Sequence, residues 1–369
     1  MAIVAGFDVH RRQITFDALD TETGELSRGR IDTSREAVAT WIERFPGQRV
    51  EVALEAATGW LFVCEELSAA GAIPHLAEPA ETSARRGSKR RAKTDRADAR
   101  HLRELLAERR LPEAWRPPDH VLAWRSRTRL RRTLVEQRTQ WLQRIRATLF
   151  HHGVPAAEVP ARLLGRQGRA YLERVELPPA ASERVRVALA LVDALDTQLA
   201  PLERELRRLA RRQRGCRALL REHGIGELTA LTILSELGDV GRFARSRKAV
   251  RAAGLDIGVH RSDRRSRLGK LTKQGSPHAR WALYDAAQSA CRRTSPEHGC
   301  YLALKGRGLS HTRASLTIAA QAPPPQLPQP ARARSRRARA RRRLSDATRA
   351  DPAPPARLDG LSACGLLPQ

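Results

Sequence analysis

Three observations predict an α/β N-terminal domain followed by a helical coiled coil and a mainly α C-terminal domain. Short apolar or alternating runs bounded by turn residues fill residues 3–76. Two long amphipathic runs follow, at 121–152 and 182–212. A glycine-punctuated region with helical spacing then extends from Cys216 to about residue 320.

The N-terminal elements follow from periodicity. Ile3–Val9 is a short apolar run, Gln13–Leu19 alternates with period two, and Glu25–Ile31 is a weaker third strand, which together predict an antiparallel meander. Ser34 is placed to cap a helix over 34–45 whose apolar face is Val38, Trp41 and Ile42. Arg49–Leu54 predicts a strand ending at Glu55, Gly59–Ala70 a helix, and Ile73–Leu76 a short strand. The order β-β-β-α-β-α-β, with acids at strand ends, outlines an RNase H-like fold. A basic loop, Arg85–Lys93, leads into TDRADARHLRELLAERR, a helix with Leu102, Leu105 and Leu106 on one side. Pro112, Pro117 and Pro118 then break the chain.

The next helix is Arg-rich and carries Leu130, Leu134, Trp141, Ile145 and Leu149 at helical spacing. In the second long helix Val185, Ala188, Val192, Leu195, Leu199 and Leu202 step by three and four, as a/d positions of a coiled coil do. The seam predicts a dimer or a tetramer, and Pro201 predicts a kink within it. Beyond it, Gly224 and Gly226 bracket a tight turn before a helix at 228–237, which resembles a helix-hairpin-helix whose backbone N–H groups approach a DNA phosphate. The expected segments are therefore 1–153, 154–214, 215–322 and 323–369. The last is rich in Pro and Arg without apolar period and predicts a disordered tail.

Composition narrows the function. The chain of 369 residues has 68 Lys and Arg against 40 Asp and Glu, a net charge of +28, which calls for a polyanionic partner such as nucleic acid. Five cysteines, none at C-x-x-C spacing, argue against a disulfide framework or a zinc site. The opening MAIVAGFDVH lacks a secretory pattern, and no run reaches the ~18 apolar residues of a membrane span. A cytoplasmic, nucleoid-associated bacterial protein with no membrane partner is expected.

Four acids stand out as chemistry. Asp8 and Glu55 end strands, while Asp95 and Asp98, three apart at a helix start, share a face. Carboxylates brought together repel, so such a set makes sense around a cation, and oxygen ligands suit Mg2+ or Mn2+. Two such ions stabilise both the attacking and the leaving oxygen of a phosphoryl transfer. Arg85, Arg86, Lys89, Arg90, Arg91 and Lys93 would clamp the phosphate backbone beside that site. A second basic segment, 252–280, holds Ser262 near Arg264 and Arg265, with Lys270 and Lys273 further on. Arginines there would orient a phosphate and stabilise charge developing on it. On composition alone Ser262 is a loop serine, and Ser266 and Ser276 are equal candidates for a nucleophile.

The motifs GFDVH at 6–10, ALEAATGW at 53–60 and KTDRADA at 93–99 resemble the DEDD transposases of the insertion-sequence one-ten family. So do GIGELTALTILSELGDVGRF, AAGLDIG and LGKLTKQGSPHARWALYDAA, in the same order, so that the resemblance covers nearly residues 1–320. It implies a RuvC-like N-terminal domain, an intervening coiled coil and a C-terminal transposase domain. It further implies that Asp8, Glu55, Asp95 and Asp98 bind metal, that a C-terminal serine links covalently to DNA, and that a structured non-coding RNA guides the reaction. Counting back from Thr272-Lys273-Gln274-Gly275 places that serine at Ser262, although the family's following Gly is Asp263 here, and Ser266 is the fallback. The sequence after KGRGLSHTRASLTIAA departs from the family's last helix, which suggests a frameshift near residue 320. A junction-resolving endonuclease using the same acids, and an inactive nucleic-acid-binding remnant, are the alternative functions.

Overall fold

The computed structural model describes residues 2–86, 94–262 and 265–321, with residues 257–270 described by backbone alone. The basic residues Lys89, Arg90, Arg91, Lys93 and Arg264 and the Pro/Arg-rich tail lie outside the described residues. The chain divides into two compact units, one ending at Pro118 and the other beginning at Asp119. The Arg-rich long helix, expected within the first segment, packs with the second unit.

In the first unit β1 (Ala2–Val9), β2 (Gln13–Asp20) and β3 (Leu26–Asp32) form the expected meander. Helix α1 (Arg35–Glu43), strand β4 (Arg49–Glu55), helix α2 (Trp60–Ala69) and strand β5 (Ile73–Ala77) follow. The sheet order is β3-β2-β1-β4-β5, with β4 parallel to both β1 and β5. Ser34 caps α1 as predicted, accepting a bond from Ala37 N at 3.1 Å. A short helix α3 (Pro79–Ala84), absent from the sequence expectation, precedes α4 (Asp95–Ala107).

Strand periodicity sorts the side chains between the two faces. Ile3, Ala5 and Phe7 of β1 join Val50, Val52 and Leu54 of β4 in the core beneath α1 and α2, where Trp41 packs edge-on against Phe7 and Phe16. The alternate positions face α4. Val4, Ala53 and Ala77 pack there against Leu102 and Leu106. Asp8, Glu51 and Glu55 share that parity, so the acids at the strand ends belong to the α4 face.

Gly6 sets how closely α4 approaches. A Cβ at residue 6 would lie 2.0 Å from Ala99 O and 2.6 Å from Arg103 N, so the helix backbone rests directly on β1. An ion pair holds the helix in register: Arg103 Nε donates to Asp17 Oδ1 at 2.5 Å, and both side chains are over nine-tenths buried. Asp17 lies opposite Gly6 on β2 and also accepts from Arg28 Nε at 2.7 Å.

The second unit is mainly helical. Helix α5 (Asp119–His151) and helix α7 (Pro179–Arg212) pack together, with α6 (Arg166–Arg174) between them in sequence. The ion pairs Arg131–Glu203 and Arg138–Asp196 show that the two long helices run antiparallel. Val185, Ala188, Val192 and Leu199 of the predicted seam are buried within this chain. The partner helix that the seam calls for is therefore α5. Helix α7 is assigned continuously through Pro201.

Next come α8 (Arg214–Leu219), α9 (Glu227–Leu237), a 3-10 turn at Val240–Arg242 and α10 (Ser246–Ala252). The basic segment 252–280, in which Ser262 is expected in a loop, instead forms a β-hairpin, β6 (Ile257–Ser262) and β7 (Arg265–Leu271). Helices α11 (Pro277–Ala290), α12 (His298–Gly306) and α13 (His311–Gln321) complete the described chain. Cys64 and Cys216 are buried free thiols, pushed by burial up to about 11 and about 12, so they stay protonated and pack as small apolar side chains. Among the described residues no helix is long and apolar enough to cross a membrane.

Replacing Gly6 by Val tests the packing of α4 on β1. The added side chain has no room without lifting the helix, so a loss of roughly 2–3 kcal/mol is expected in chemical denaturation of the full chain. The same substitution at Gly299, where nothing lies within 4 Å of the position and φ is not positive, controls for glycine loss at an open position.

Candidate active site

The acids of the first unit converge because a sheet face and a helix stripe end together. Asp8 is the last but one residue of β1 and Glu55 the last of β4. Phe7 pairs with Leu54 across the parallel ladder, so Asp8 and Glu55 follow one step later at the same end. On α4 the stripe Leu106, Leu102 and Ala99 that packs on the sheet continues to Asp98 and Asp95 in the first turn. Thr94 caps the helix by accepting from Ala97 N at 3.2 Å.

The geometry around Asp8 is specific. His10 Nε2 lies 3.1 Å from Asp8 Oδ2 and 3.6 Å from Asp95 Oδ1. Gln13 Nε2 donates to Asp95 Oδ2 at 3.2 Å. Asp8, His10 and Asp95 each offer a ligand atom within 4.8 Å of the others. Burial pushes the Asp8 carboxyl above the usual range, His10 opposes this, and the neighbouring charges of Asp98 and Asp95 raise it further. Thr15 faces Asp8 across the β1–β2 ladder and is 1% exposed, and its hydroxyl has no hydrogen-bond partner among the described residues. Arg86 Nη1 donates to Asp98 Oδ1, while Arg85 reaches back to Arg110 O.

In the second unit Ser262 is the last residue of β6, opposite Arg265, and Ser266 pairs with Arg261. The base of this hairpin is held by two glycines packed against each other's strands of backbone. A Cβ on Gly254 would meet Gln274 O at 2.3 Å, and one on Gly275 would meet Ala252 O at 2.2 Å. Both have positive φ, 69° and 110°, as does Lys273 at 54°. Thr272 N donates to Asp256 O at 3.0 Å and its hydroxyl bonds Asp256 Oδ1 at 2.5 Å.

The next residues tie that base to α5. Ser276 caps α11, accepting from Ala279 N at 3.2 Å, and donates its hydroxyl to Glu236 Oε2 at 2.7 Å. Glu236 has a side chain 1% exposed and takes both arms of Arg129, each at 2.8 Å. Arg125 donates to Ser235 O and Glu236 O, each at 2.7 Å.

Comparison with known proteins bears on what these two sites belong to. Residues 5–152 match a family described as Transposase, the DEDD type of IS110, and residues 216–302 match the Transposase IS116/IS110/IS902 family. The chain belongs to the IS110 family of DEDD transposases.

Among curated relatives, a protein of Pseudomonas aeruginosa named "Probable family 20 transposase" is 28% identical over 46% of this chain and 51% of its own length. The Coxiella burnetii transposase for insertion sequence element IS1111A is 27% identical over 44% of this chain and 45% of its own. An IS116 insertion-element protein of Streptomyces clavuligerus is 28% identical over 52% of this chain and 46% of its own. The chain spans about half the length of these relatives.

The family implies a divalent cation, and the donors of the first unit fit one. They are hard carboxylate oxygens and an imidazole, two like charges crowd Asp8, and Thr15 presents an orphaned hydroxyl beside it. Sequence reasoning passed over His10, Gln13, Thr15, Asp17 and Glu236. A signal was present for Asp17 alone: an acid inside an apolar alternating strand that lies on the acids' face. One residue expected to meet nucleic acid, Gly224, is otherwise employed. The space at Gly224, φ 80°, is filled by α11, with Ser289 Cβ 2.3 Å from where its Cβ would stand. Gly226 instead has open space around it. Ser276, a candidate nucleophile, is engaged as a helix cap.

Glu236 yields a pH-dependent prediction. Burial raises its carboxyl, but the bonds from Arg129 and Ser276 and the charges of Arg129 and Arg125 prevail and hold it below the ordinary range. A carboxyl lowered on folding stabilises the protein above its unfolded pKa, and that stability fades as pH falls through the folded value. Glu236→Gln is therefore expected to cost about 3 kcal/mol at pH 7, as breaking a buried pair does. The gap to wild type should begin to close below a pH of about 4, where unpaired glutamate protonates, and vanish only below the lowered folded value. Urea unfolding midpoints measured from pH 7 to pH 3 check both the sign and the window.

Proposed function

We propose that this chain is an insertion-sequence transposase that cleaves and rejoins DNA using two chemistries, an acidic metal site and a nucleophilic serine. The observation that carries the reading is the convergence of Asp8, Asp95 and Asp98 on the α4 face of the sheet, in a chain whose two halves match one transposase family. Asp8, Glu55, Asp95 and Asp98 hold the cation, Mg2+ or Mn2+. When bound, the cation draws charge from the phosphate and its leaving oxygen.

Ser262 supplies the nucleophile. Its Oγ forms a bond to phosphorus as the bond from phosphorus to the sugar oxygen breaks. The serine proton passes to solvent, and the leaving sugar oxygen is protonated in its turn. Reversal of the step on a different strand rejoins the DNA. The serine ester keeps the energy of the phosphodiester, so no ATP is consumed. The hairpin base welded at Gly254 and Gly275 supports this role, because a nucleophile must be held within a fraction of an ångström of its target.

Basic residues hold the nucleic acids: Arg85, Arg86, Lys89, Arg90, Arg91 and Lys93, close in sequence to Asp95 and Asp98, and Arg264, Arg265, Lys270 and Lys273, close in sequence to the serine. The net charge of +28 supports a second polyanion, a non-coding RNA that guides the choice of site. The open backbone at Gly226, at the start of α9, is a further contact for phosphate. A homodimer or homotetramer supplies the two active centres that one strand exchange needs. Val187 and Leu191, apolar and exposed one turn apart on α7, support assembly there.

The test is a denaturing gel of protein incubated with divalent cation and labelled element-end DNA, after co-expression with the native flanking sequence. Wild type is expected to give a DNA-linked protein band that Ser262→Ala abolishes, and Asp8→Ala is expected to reduce cleavage by at least about a hundredfold. Cleaved DNA with no linked band would establish hydrolysis and reject the serine step. Binding without cleavage would reject the transposase reading.

A further inference from the structure

We infer that His10 is a third protein ligand of the cation held by Asp8 and Asp95, and that this nitrogen makes the site favour Mn2+ over Mg2+. The inference rests on the proposal that these acids hold a divalent ion, and it adds a ligand outside the four-acid set.

The spacing of the three side chains is that of one coordination sphere. For bonds of about 2.1 Å at right angles, neighbouring ligand atoms lie about 3.0 Å apart and opposite ones about 4.2 Å apart. His10 Nε2 stands 3.1 Å from Asp8 Oδ2 and 3.6 Å from Asp95 Oδ1, and the three ligand atoms all lie within 4.8 Å of one another. The three side chains are thus already gathered where one ion could bind them together.

The backbone of His10 is held in place for this. Its N–H donates to Gln13 O at 3.0 Å, closing the β1–β2 turn, and its carbonyl accepts from the Thr33 hydroxyl at 2.7 Å. The same turn carries Gln13, whose amide fixes the Asp95 carboxylate at 3.2 Å. Two residues of one turn thus orient an acid on each side of the gap.

A second observation points to a ligand at this place. Thr15 lies directly opposite Asp8 on the sheet face that α4 covers, is almost wholly buried, and has an unpartnered hydroxyl. Buried polar atoms are rarely left without a partner. A water in the ion's own shell would satisfy it.

The chemistry of the set decides the ion. Mg2+ is a hard cation that keeps several waters and takes carboxylate oxygen, whereas imidazole nitrogen is worth more to transition-metal ions. One nitrogen among oxygens tips the choice to Mn2+.

The experiment is pulsed electron paramagnetic resonance on the full-length protein loaded with one equivalent of Mn2+, with no DNA present. Wild type is expected to show 14N coupling from a directly bonded imidazole, and His10→Asn to lose it. The Mg2+ concentration that displaces half the Mn2+ is expected to fall by about tenfold in His10→Asn. Mn2+ bound through Asp8 without 14N coupling, or with coupling that survives in His10→Asn, overturns the role of His10 and leaves the acidic site standing. Mn2+ binding that Asp8→Asn does not weaken overturns the acidic site itself, and the inference with it. A histidine that serves only as a hydrogen-bond donor to Asp8 gives no coupling, so the first measurement separates the two roles.

Discussion

Helix α4 lays its backbone on β1 at Gly6, and the positions of Asp95 and Asp98 relative to Asp8 follow from that contact. Any larger residue would stand 2.0 Å from Ala99 O, so the helix would ride higher and its first turn would move away from the strand end. The buried pair Arg103–Asp17 fixes the same helix along its axis beside the glycine contact. The cost of gathering acids is considerable. Two unit charges 4 Å apart repel by about 4 kcal/mol at an effective dielectric of about 20. Packing of Leu102 and Leu106 against Val4, Ala53 and Ala77 holds the helix down against that repulsion until a cation relieves it.

The second unit solves the same positional problem by related means. Its hairpin is mostly polar and basic in sequence, and its base is fixed by backbone contact. Gly254 against Gln274 and Gly275 against Ala252 allow two chain segments to touch with no side chain between them. Glu236 then binds the following turn to α5 through Ser276 and Arg129. Several arginines of this helix are thereby used inside the protein. Arg125, Arg129, Arg131 and Arg138 all pair within the unit, so the excess charge available to nucleic acid is carried by other residues.

Much of this architecture is legible in the residues themselves, for identifiable reasons. Strand β1 reads as an apolar run because one face meets α1 and α2 and the other meets α4, while β2 shows its strand period by alternation. The acid Asp8 announces itself because it ends an apolar run. The hairpin β6–β7 escapes notice because its residues, IGVHRS and RSRLGKL, lack a sustained alternation of apolar and polar positions. His10 escapes notice because its role depends on a turn that brings the imidazole back over Asp8, and turn geometry is not written in residue spacing. Gly224 looks like a phosphate contact in sequence, yet its bareness accommodates α11. The seam on α7 has the spacing of a coiled coil between chains, and spacing alone does not say whether the partner helix is α5 of the same chain.

Anomalous diffraction at the manganese edge, from crystals of the full-length protein grown with Mn2+, tests most directly whether α4 and β1 together build a cation site. The expected result is a peak within bonding distance of the Asp8 and Asp95 carboxylates, with α4 seated on Gly6. Ordered protein with no peak at that position, or with the first turn of α4 lifted so that the two carboxylates stand apart, would contradict it.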